Sequence, residues 1–398
     1  MPRELLIRNV RPAGGAPANV LVRDGYIAET DAADHAPGAE TLEGEGMLLL
    51  PGLVEAHTHL DKTFWGMGWR GHTAGPGLVD RIENERRVRR ETGIDPEQQS
   101  GRLALQMLKM GTTHIRSHVD VDTEVGLAGI EGVMAARERL KPVLDVEIVA
   151  FPQSGLLIRP GTLELLDRAL DLGAEVVGGL DPGAIDRDPK GHLDAIFGLA
   201  GKHGRPLDIH LHEPGEMGAF SLELIIERTR ALGMQGRVTV SHAFCLGMPD
   251  AARVDGLIAD LAKERVAIMT TAPANSPAPP VGKCLAAGVV VSGGSDGVRD
   301  GWTPYGNGDM LERAMLVGLR NGFRRDEDIG LALDICTYGG ARTLDLENYG
   351  LSVGCAADLL LVPGETVAEA VISRPADRTV AKRGRIVVRH GELADPIH

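Results

Sequence analysis

The sequence predicts an α/β fold: a (β/α)8 TIM-like barrel carrying a small β-sandwich built from both chain ends. Three observations lead there. Eight apolar, strand-like runs alternate with helix-periodic segments through the middle of the chain, the pattern of β/α units on a parallel sheet. Those runs repeatedly end in polar, ligand-type side chains, and strand ends are where such a barrel gathers its chemistry. Short strand-like stretches broken by Gly and Pro occupy both termini, which commonly lie close in space. The division expected is a β-sandwich from 1–52 and 350–398 and a barrel over 53–349.

In chain order, the runs 5–10, 19–23 and 26–28 read as strands, with Asp24-Gly25 as a tight hairpin signal. At the far end 358–362, 379–382 and 386–389 look alike, and Arg383-Gly384 turns between the last two. The first barrel run leads into His57 and His59. The second is 113–120, the third 143–153, the fourth 175–181 and the fifth 207–213. The sixth is 238–242, the seventh 266–271 and the eighth 289–296. Between them, 99–110 sets Leu103, Met107 and Met110 at helix spacing until Gly111 stops it; 222–232 does the same with Leu224, Ile225 and Arg228 before Gly233. An open doubly wound sheet is the competing topology, but no Gly-rich phosphate fingerprint follows the first strand.

Composition removes several function classes. The chain has 398 residues, 43% hydrophobic and 25% charged, with a formal net charge of −14. Nothing offers the basic stripe that would neutralise phosphates, so no nucleic-acid partner is expected. No apolar run approaches the roughly 18 residues of a membrane span, and the Met1-Pro2-Arg3-Glu4 start lacks a signal peptide's apolar core. Cys245, Cys284, Cys336 and Cys355 are scattered, against both disulfides and thiolate zinc sites. A cytoplasmic protein is the expectation. His35, His72, His192, His203, His390 and His398 lie away from strand ends and are expected to face solvent. The stretch 81–91, with Glu83, Glu85 and Glu91 among arginines, reads as a charged helix face or an oligomer contact. The Pro-rich segment 273–280 reads as a rigid loop over the barrel mouth.

The chemistry gathers at strand ends: His57 and His59, His118 and Asp120, Gln153, Asp181, His210 to Glu213, His242 and Asp296. Residues two apart on a strand project to one side, so His57 and His59 present two imidazoles together. Three histidines and an aspartate suit Zn²⁺, with Fe²⁺ as the alternative, and the ligands assigned are His57, His59, His210 and Asp296. Strand four, ending Gly178-Gly179-Leu180-Asp181, supplies no lysine to bridge two ions, so one metal ion is expected. Glu213, three residues past His210, suits a proton shuttle. His242 would steady the attacking oxygen, and Asp296 would accept a proton. Gln153 can donate and accept at once, which suits an amide-like ring edge. Lys62, His118, Asp120 and Asp181 are the remaining candidates, either to orient the metal-site histidines or to face the substrate, and Trp302 is a candidate cover for the pocket.

H-x-H after the first strand, H-x-x-E after the fifth, S-H after the sixth and S-D after the eighth resemble the amidohydrolase superfamily, over essentially the whole chain. More narrowly, 57–62 (HTHLDK), 118–122 (HVDVD) and 150–153 (AFPQ) resemble the cytosine deaminase group. The stretches 177–182 and 295–310 are similar to its triazine-processing branch, the N-isopropylammelide isopropylaminohydrolases. Glu213 follows the cytosine deaminases. Gly297 stands where they carry a second Asp that helps hold the pyrimidine. The resemblance implies a metal-dependent hydrolytic deaminase that takes an amino or alkylamino group from a pyrimidine or s-triazine ring, with water as co-substrate. It also implies a homo-oligomer. The alternative is a cyclic amide hydrolase of the hydantoinase or dihydroorotase type, against which the missing strand-four lysine speaks.

Overall fold

The computed structural model describes residues 4–34, 36–75 and 77–395. Five short strands open the chain: β1 (Glu4–Pro12), β2 (Ala18–Arg23), β3 (Tyr26–Glu29), β4 (Glu40–Glu43) and β5 (Leu48–Pro51). Eight more follow, separated by helices: β6 (Leu53–Thr58), β7 (Thr112–Asp120), β8 (Asp145–Phe151), β9 (Val176–Leu180), β10 (Leu207–His210), β11 (Val238–Ser241), β12 (Ala267–Thr270) and β13 (Val291–Gly293). Four close the described chain: β14 (Leu359–Val362), β15 (Thr379–Lys382), β16 (Arg385–Arg389) and β17 (Glu392–Leu393).

The middle eight form the barrel. Their order is β13-β12-β11-β10-β9-β8-β7-β6, and every neighbouring pair is parallel. The first and last strands meet through a bridge between Thr58 and Asp296, where Asp296 N donates to His57 O at 2.8 Å. Closure therefore brings the first ligand pair to the last ligand. The buried Glu55 braces the same seam, its Oε1 accepting from Ser295 N at 2.8 Å and His57 N at 3.2 Å. The third and eighth strands are shorter than the apolar runs that predict them. Gln153 and Asp296 stand just beyond the ladder, because a side chain that serves the mouth sits where the chain leaves the sheet.

The chain ends combine as expected. β14 lies antiparallel against β5, and β1 joins two layers: residues 4–7 pair with β2 and residues 5–8 with β4, while Arg11 and Pro12 pair with β5. Period-two alternation assigns each face. Leu49, Leu359, Leu361, Ala381 and Ile386 fill the small core, whereas Leu48, Leu50, Leu360, Val362 and Val380 turn into the barrel's core. The two cores thus share strands. Arg378, 1% exposed, adds a polar clasp: its two terminal nitrogens each donate to a carboxylate oxygen of Asp309 at 2.8 Å.

Helix starts follow capping chemistry. Asp95 accepts from Gln98 N ahead of Pro96–Lys109, so that helix begins earlier than its apolar periodicity marks. Asp188, Asp250 and Asp309 cap Pro189–His203, Ala251–Lys263 and Met310–Asn321 in the same way. The segment expected at 222–232 belongs to the longer helix Gly215–Ala231. No helix of the described residues is long and apolar enough to cross a membrane.

Candidate metal centre and active site

Ligand atoms of His57, His59, His210 and Asp296 lie within 4.8 Å of one another at the C-terminal strand ends. Their chemistry fits a bound cation. Ser241 Oγ donates to Asp208 Oδ1 at 2.6 Å, so at 3.0 Å it accepts from His57 Nδ1–H. That fixes the His57 tautomer and leaves Nε2 bare, buried and without a hydrogen-bond partner. Both ring nitrogens of His210 are likewise buried and unpartnered. Burial, helped by the charge of Lys62, draws His59 down to about 4, and burial among other imidazoles holds His210 well below the ordinary histidine value. Despite burial, its histidine neighbours keep Asp296 ionised. Neutral imidazoles and a carboxylate are the protonation states a divalent ion requires.

His118, two residues before the end of β7, is fully buried with its ring 3.8 Å from that of His57 and Nε2 3.6 Å from Asp208 Oδ2. It supports a ligand from inside the barrel. His242 directly follows β11, with its Nε2 unpartnered and 4.0 Å from Asp296 Oδ2. Asp181, His242 and Asp296 all adopt positive φ, at 34°, 72° and 61°. Such conformations are uncommon away from glycine and cluster where geometry is over-determined.

The structure does not bring Glu213 to this cluster. Its Oε1 accepts from Gly183 N at 2.6 Å and Ala184 N at 2.7 Å, and its Oε2 from Ser221 Oγ at 2.5 Å. The residue that stands beside the cluster is His212, whose ring stacks on His242 at 4.3 Å. The chain past β10 stays extended, so residue 212 returns to the side of His210 while 213 points the other way. Asp181 holds His212 twice, accepting from its backbone N at 2.6 Å and from Nδ1 at 2.7 Å. Burial opposes a charge there, yet Asp181 raises His212 above the ordinary value. His210-x-His212 repeats the spacing of His57-x-His59, and that repetition was the available signal.

A second wall is built from ion pairs. Lys62 Nζ donates to Gln153 Oε1 at 2.5 Å and to Asp120 Oδ1 at 3.2 Å, and lies 3.0 Å from Glu85 Oε1. This engages the Gln153 oxygen and leaves its amide N–H groups free to donate. Glu85 Oε2 accepts from Trp302 Nε1 at 2.6 Å, and Arg89 pairs with Asp61 at 2.6 Å and Asp120 at 3.1 Å. The helix Leu78–Thr92 is therefore more than a solvated face: Ile82 and Glu85 are buried, and Glu85 and Arg89 reach into the site. Arginines and glutamates in sequence carry no sign of which turn faces inward.

His192 also departs from expectation. It is fully buried, with Nδ1 2.6 Å from Asp186 Oδ2 and Nε2 accepting from Leu180 N at 3.3 Å, so it secures the end of β9 from below. His72 and His390 are exposed and His203 is partly so, while His35 and His398 lie outside the described residues. A cavity of about 450 Å³ opens at the opposite strand ends beside His114, Asp145 and Asp358. Lys382 Nζ already pairs with both carboxylates there at 2.7 Å, so their charge is compensated from within.

Comparison with known proteins places this geometry in context. The family model described as "Amidohydrolase family" matches residues 40–394. N-isopropylammelide isopropyl amidohydrolase of Pseudomonas sp. (strain ADP) is 31% identical over 395 residues, covering 93% of this chain and 97% of that protein. The crystal structure of N-isopropylammelide isopropylaminohydrolase from Burkholderia multivorans superposes with a TM-score of 0.96 at 52% identity, covering 98% of this chain and 100% of that one. That of 5-methylcytosine deaminase from Klebsiella pneumoniae, liganded with 5-fluorocytosine, gives 0.84 at 28% identity over 99% of each.

Proposed function

Because this chain belongs to the amidohydrolase family, we propose that it is a metal-dependent aminohydrolase that releases an amino or alkylamino group from a pyrimidine or s-triazine ring. The observation that carries the reading is one mouth with two walls: three histidines and an aspartate on one side, Lys62 with Gln153 on the other. The relatives at 52% and 31% identity, named for N-isopropylammelide, favour a triazine with an alkylamino substituent. Four free cysteines suit a reducing, cytoplasmic setting, and a homo-oligomer is the assembly expected from the resemblance.

His57, His59, His210 and Asp296 would hold the ion, Zn²⁺ with Fe²⁺ as alternative. When bound, such an ion lowers the pKa of water towards neutrality and polarises the reacting centre. The remaining work falls to this chain. The second carboxylate oxygen of Asp296 accepts a proton at the mouth. His242 Nε2 donates to the oxygen that adds to the ring carbon. His212, with Nδ1 engaged by Asp181, has only Nε2 to exchange a proton with the ring nitrogen and the departing amine. Lys62 and the free Gln153 amide donate to a ring carbonyl. Glu213 anchors the 183–184 backbone that follows Asp181, so its role is positional.

The test is release of ammonia or alkylamine by the metal-loaded protein from cytosine, isocytosine, ammelide and N-alkylammelides, with His212→Asn as control. Amine release from one of these rings that falls sharply in the variant supports the reading. Ring opening without free amine would replace it with cyclic amide hydrolysis.

A further inference from the structure

Asp300 is a site carboxylate with one oxygen fully engaged and the other without a partner. Oδ1 accepts from Trp302 N at 2.8 Å and Thr303 N at 3.0 Å, which locks the side chain onto its own turn. Oδ2 is buried with no hydrogen-bond partner, in a residue only 1% exposed. Buried polar atoms are seldom left so, and each exception calls for an explanation.

Gly297 shows how the oxygen comes to be there. A Cβ on Gly297 would lie 2.2 Å from Asp300 Oδ2 and 2.8 Å from its Cγ. The carboxylate thus fills the volume of a side chain at the position directly after the ligand Asp296. Its charge acts on Lys62 and Glu85, the pair that Trp302 and Gln153 join. Asp300 also lines a recess of about 200 Å³ with Phe64, Trp69, His72 and Arg299. The metal-facing backbone and the ion-paired wall therefore converge on this acceptor.

We propose that Asp300 is a specificity-determining residue, whose free Oδ2 accepts a hydrogen bond from a ring N–H of the substrate. With Lys62 and Gln153 donating to a carbonyl, the three groups read a lactam edge, –C(=O)–N(H)–, of the heterocycle. The inference rests on the heterocyclic aminohydrolase reading and names the chemical edge that reading leaves open. Gly297 belongs to the device, since any side chain there displaces the carboxylate.

The experiment is steady-state amine release by metal-loaded wild type, Asp300→Asn, Asp300→Ala and Gly297→Ala. The substrates are a ring that wild type turns over and its analogue methylated on the lactam nitrogen. A hydrogen bond to a charged acceptor predicts a KM raised about 10- to 100-fold in Asp300→Asn and Asp300→Ala, with kcat within about threefold. Gly297→Ala should reproduce the effect and add nothing to Asp300→Ala, as expected of coupled neighbours. Methylation should impair wild type and leave Asp300→Ala almost indifferent, a distinction that a merely structural role would not produce. If Asp300→Ala fails to fold, Asp300→Asn preserves the shape and the Oδ1 contacts and decides the matter. Wild-type turnover with KM unchanged in Asp300→Asn, or equal discrimination against the methylated ring by all folded variants, overturns the assignment alone. Silence of wild type across the rings overturns the aminohydrolase reading, and this inference with it.

Discussion

Asp181→Asn tests the acid–base assignment with the smallest change of shape. The carboxylate is fully buried and accepts two N–H donors of one residue, His212 N at 2.6 Å and His212 Nδ1 at 2.7 Å. An amide has a single acceptor end. The backbone N–H cannot change its character, so the Asn oxygen stays with it and the NH₂ faces Nδ1. The imidazole must then carry its proton on Nε2, and the nitrogen left for the substrate becomes a donor instead of an acceptor. Positioned acid–base groups contribute about 10²- to 10⁴-fold, so kcat should fall by about that factor, or about 3–5 kcal/mol of barrier. No metal ligand is touched, so metal content by atomic emission should match wild type, and KM should stay within about tenfold. Amine-release rates on metal-replete protein, beside far-ultraviolet circular dichroism, supply the measurement. A metal-replete Asp181→Asn with kcat within about fivefold of wild type would refute the role given to His212.

Chelation of the metal should abolish amine release and lower the melting temperature by several degrees, with both restored by Zn²⁺ or Fe²⁺, because binding that favours the folded state adds to its stability. Arg378→Met should destabilise the fold by about 3–5 kcal/mol, read as a lower denaturant midpoint, since it leaves Asp309 buried without its bidentate partner. Burial raises the Asp300 carboxyl to about 6 against the opposing pull of Lys62. A carboxyl raised in the folded state contributes stability that is fully present below about pH 4 and lost as pH rises through about 6. Wild type should therefore gain about 2 kcal/mol on Asp300→Asn between pH 7.5 and pH 4; denaturation midpoints that run parallel over that range would contradict the burial of this charge.

How much of this was readable from sequence follows from the range of the signals. Strand runs and their polar ends are local patterns, so the barrel order and the placing of His57, His59, His210, His242 and Asp296 at one mouth could be read from them. The N-terminal and C-terminal strands met as expected because each alone leaves an apolar face uncovered; Leu359 and Leu360 show the two faces being filled by different cores. What escaped reading was set by direction and by partners. Glu213 and His212 are neighbours in sequence, and the extended path past β10 sets the His212 ring against His242 while Glu213 binds the 183–184 backbone and Ser221. His192, far from any strand end, is buried because Asp186 and the Leu180 amide satisfy both its nitrogens. Glu85 and Arg89 look like surface charges until the folded chain supplies Lys62, Asp61 and Asp120 as counter-charges.

That last case bears on how such a site can change its substrate. The metal half stands on strand ends, and Ser241, Asp208 and Glu55 hold its groups to the barrel seam. The recognition half stands on the helix Leu78–Thr92 and on the loop 297–308, outside the ladder. Within it Lys62 and Arg89 face Asp61, Glu85, Asp120 and Asp300. Two cations cannot neutralise four buried carboxylates. Burial accordingly lifts Asp120 and Asp300 above their ordinary values, while Lys62 and Arg89 keep Glu85 below its own. A wall short of positive charge favours ligands rich in N–H donors, and amino-substituted rings are such ligands. Because the wall hangs on a helix and a loop, exchanges such as Gly297 with Asp300 can re-aim an acceptor without moving a metal ligand. On the function proposed above, reaction type rests with the strands, and ring selectivity is free to vary on the elements above them.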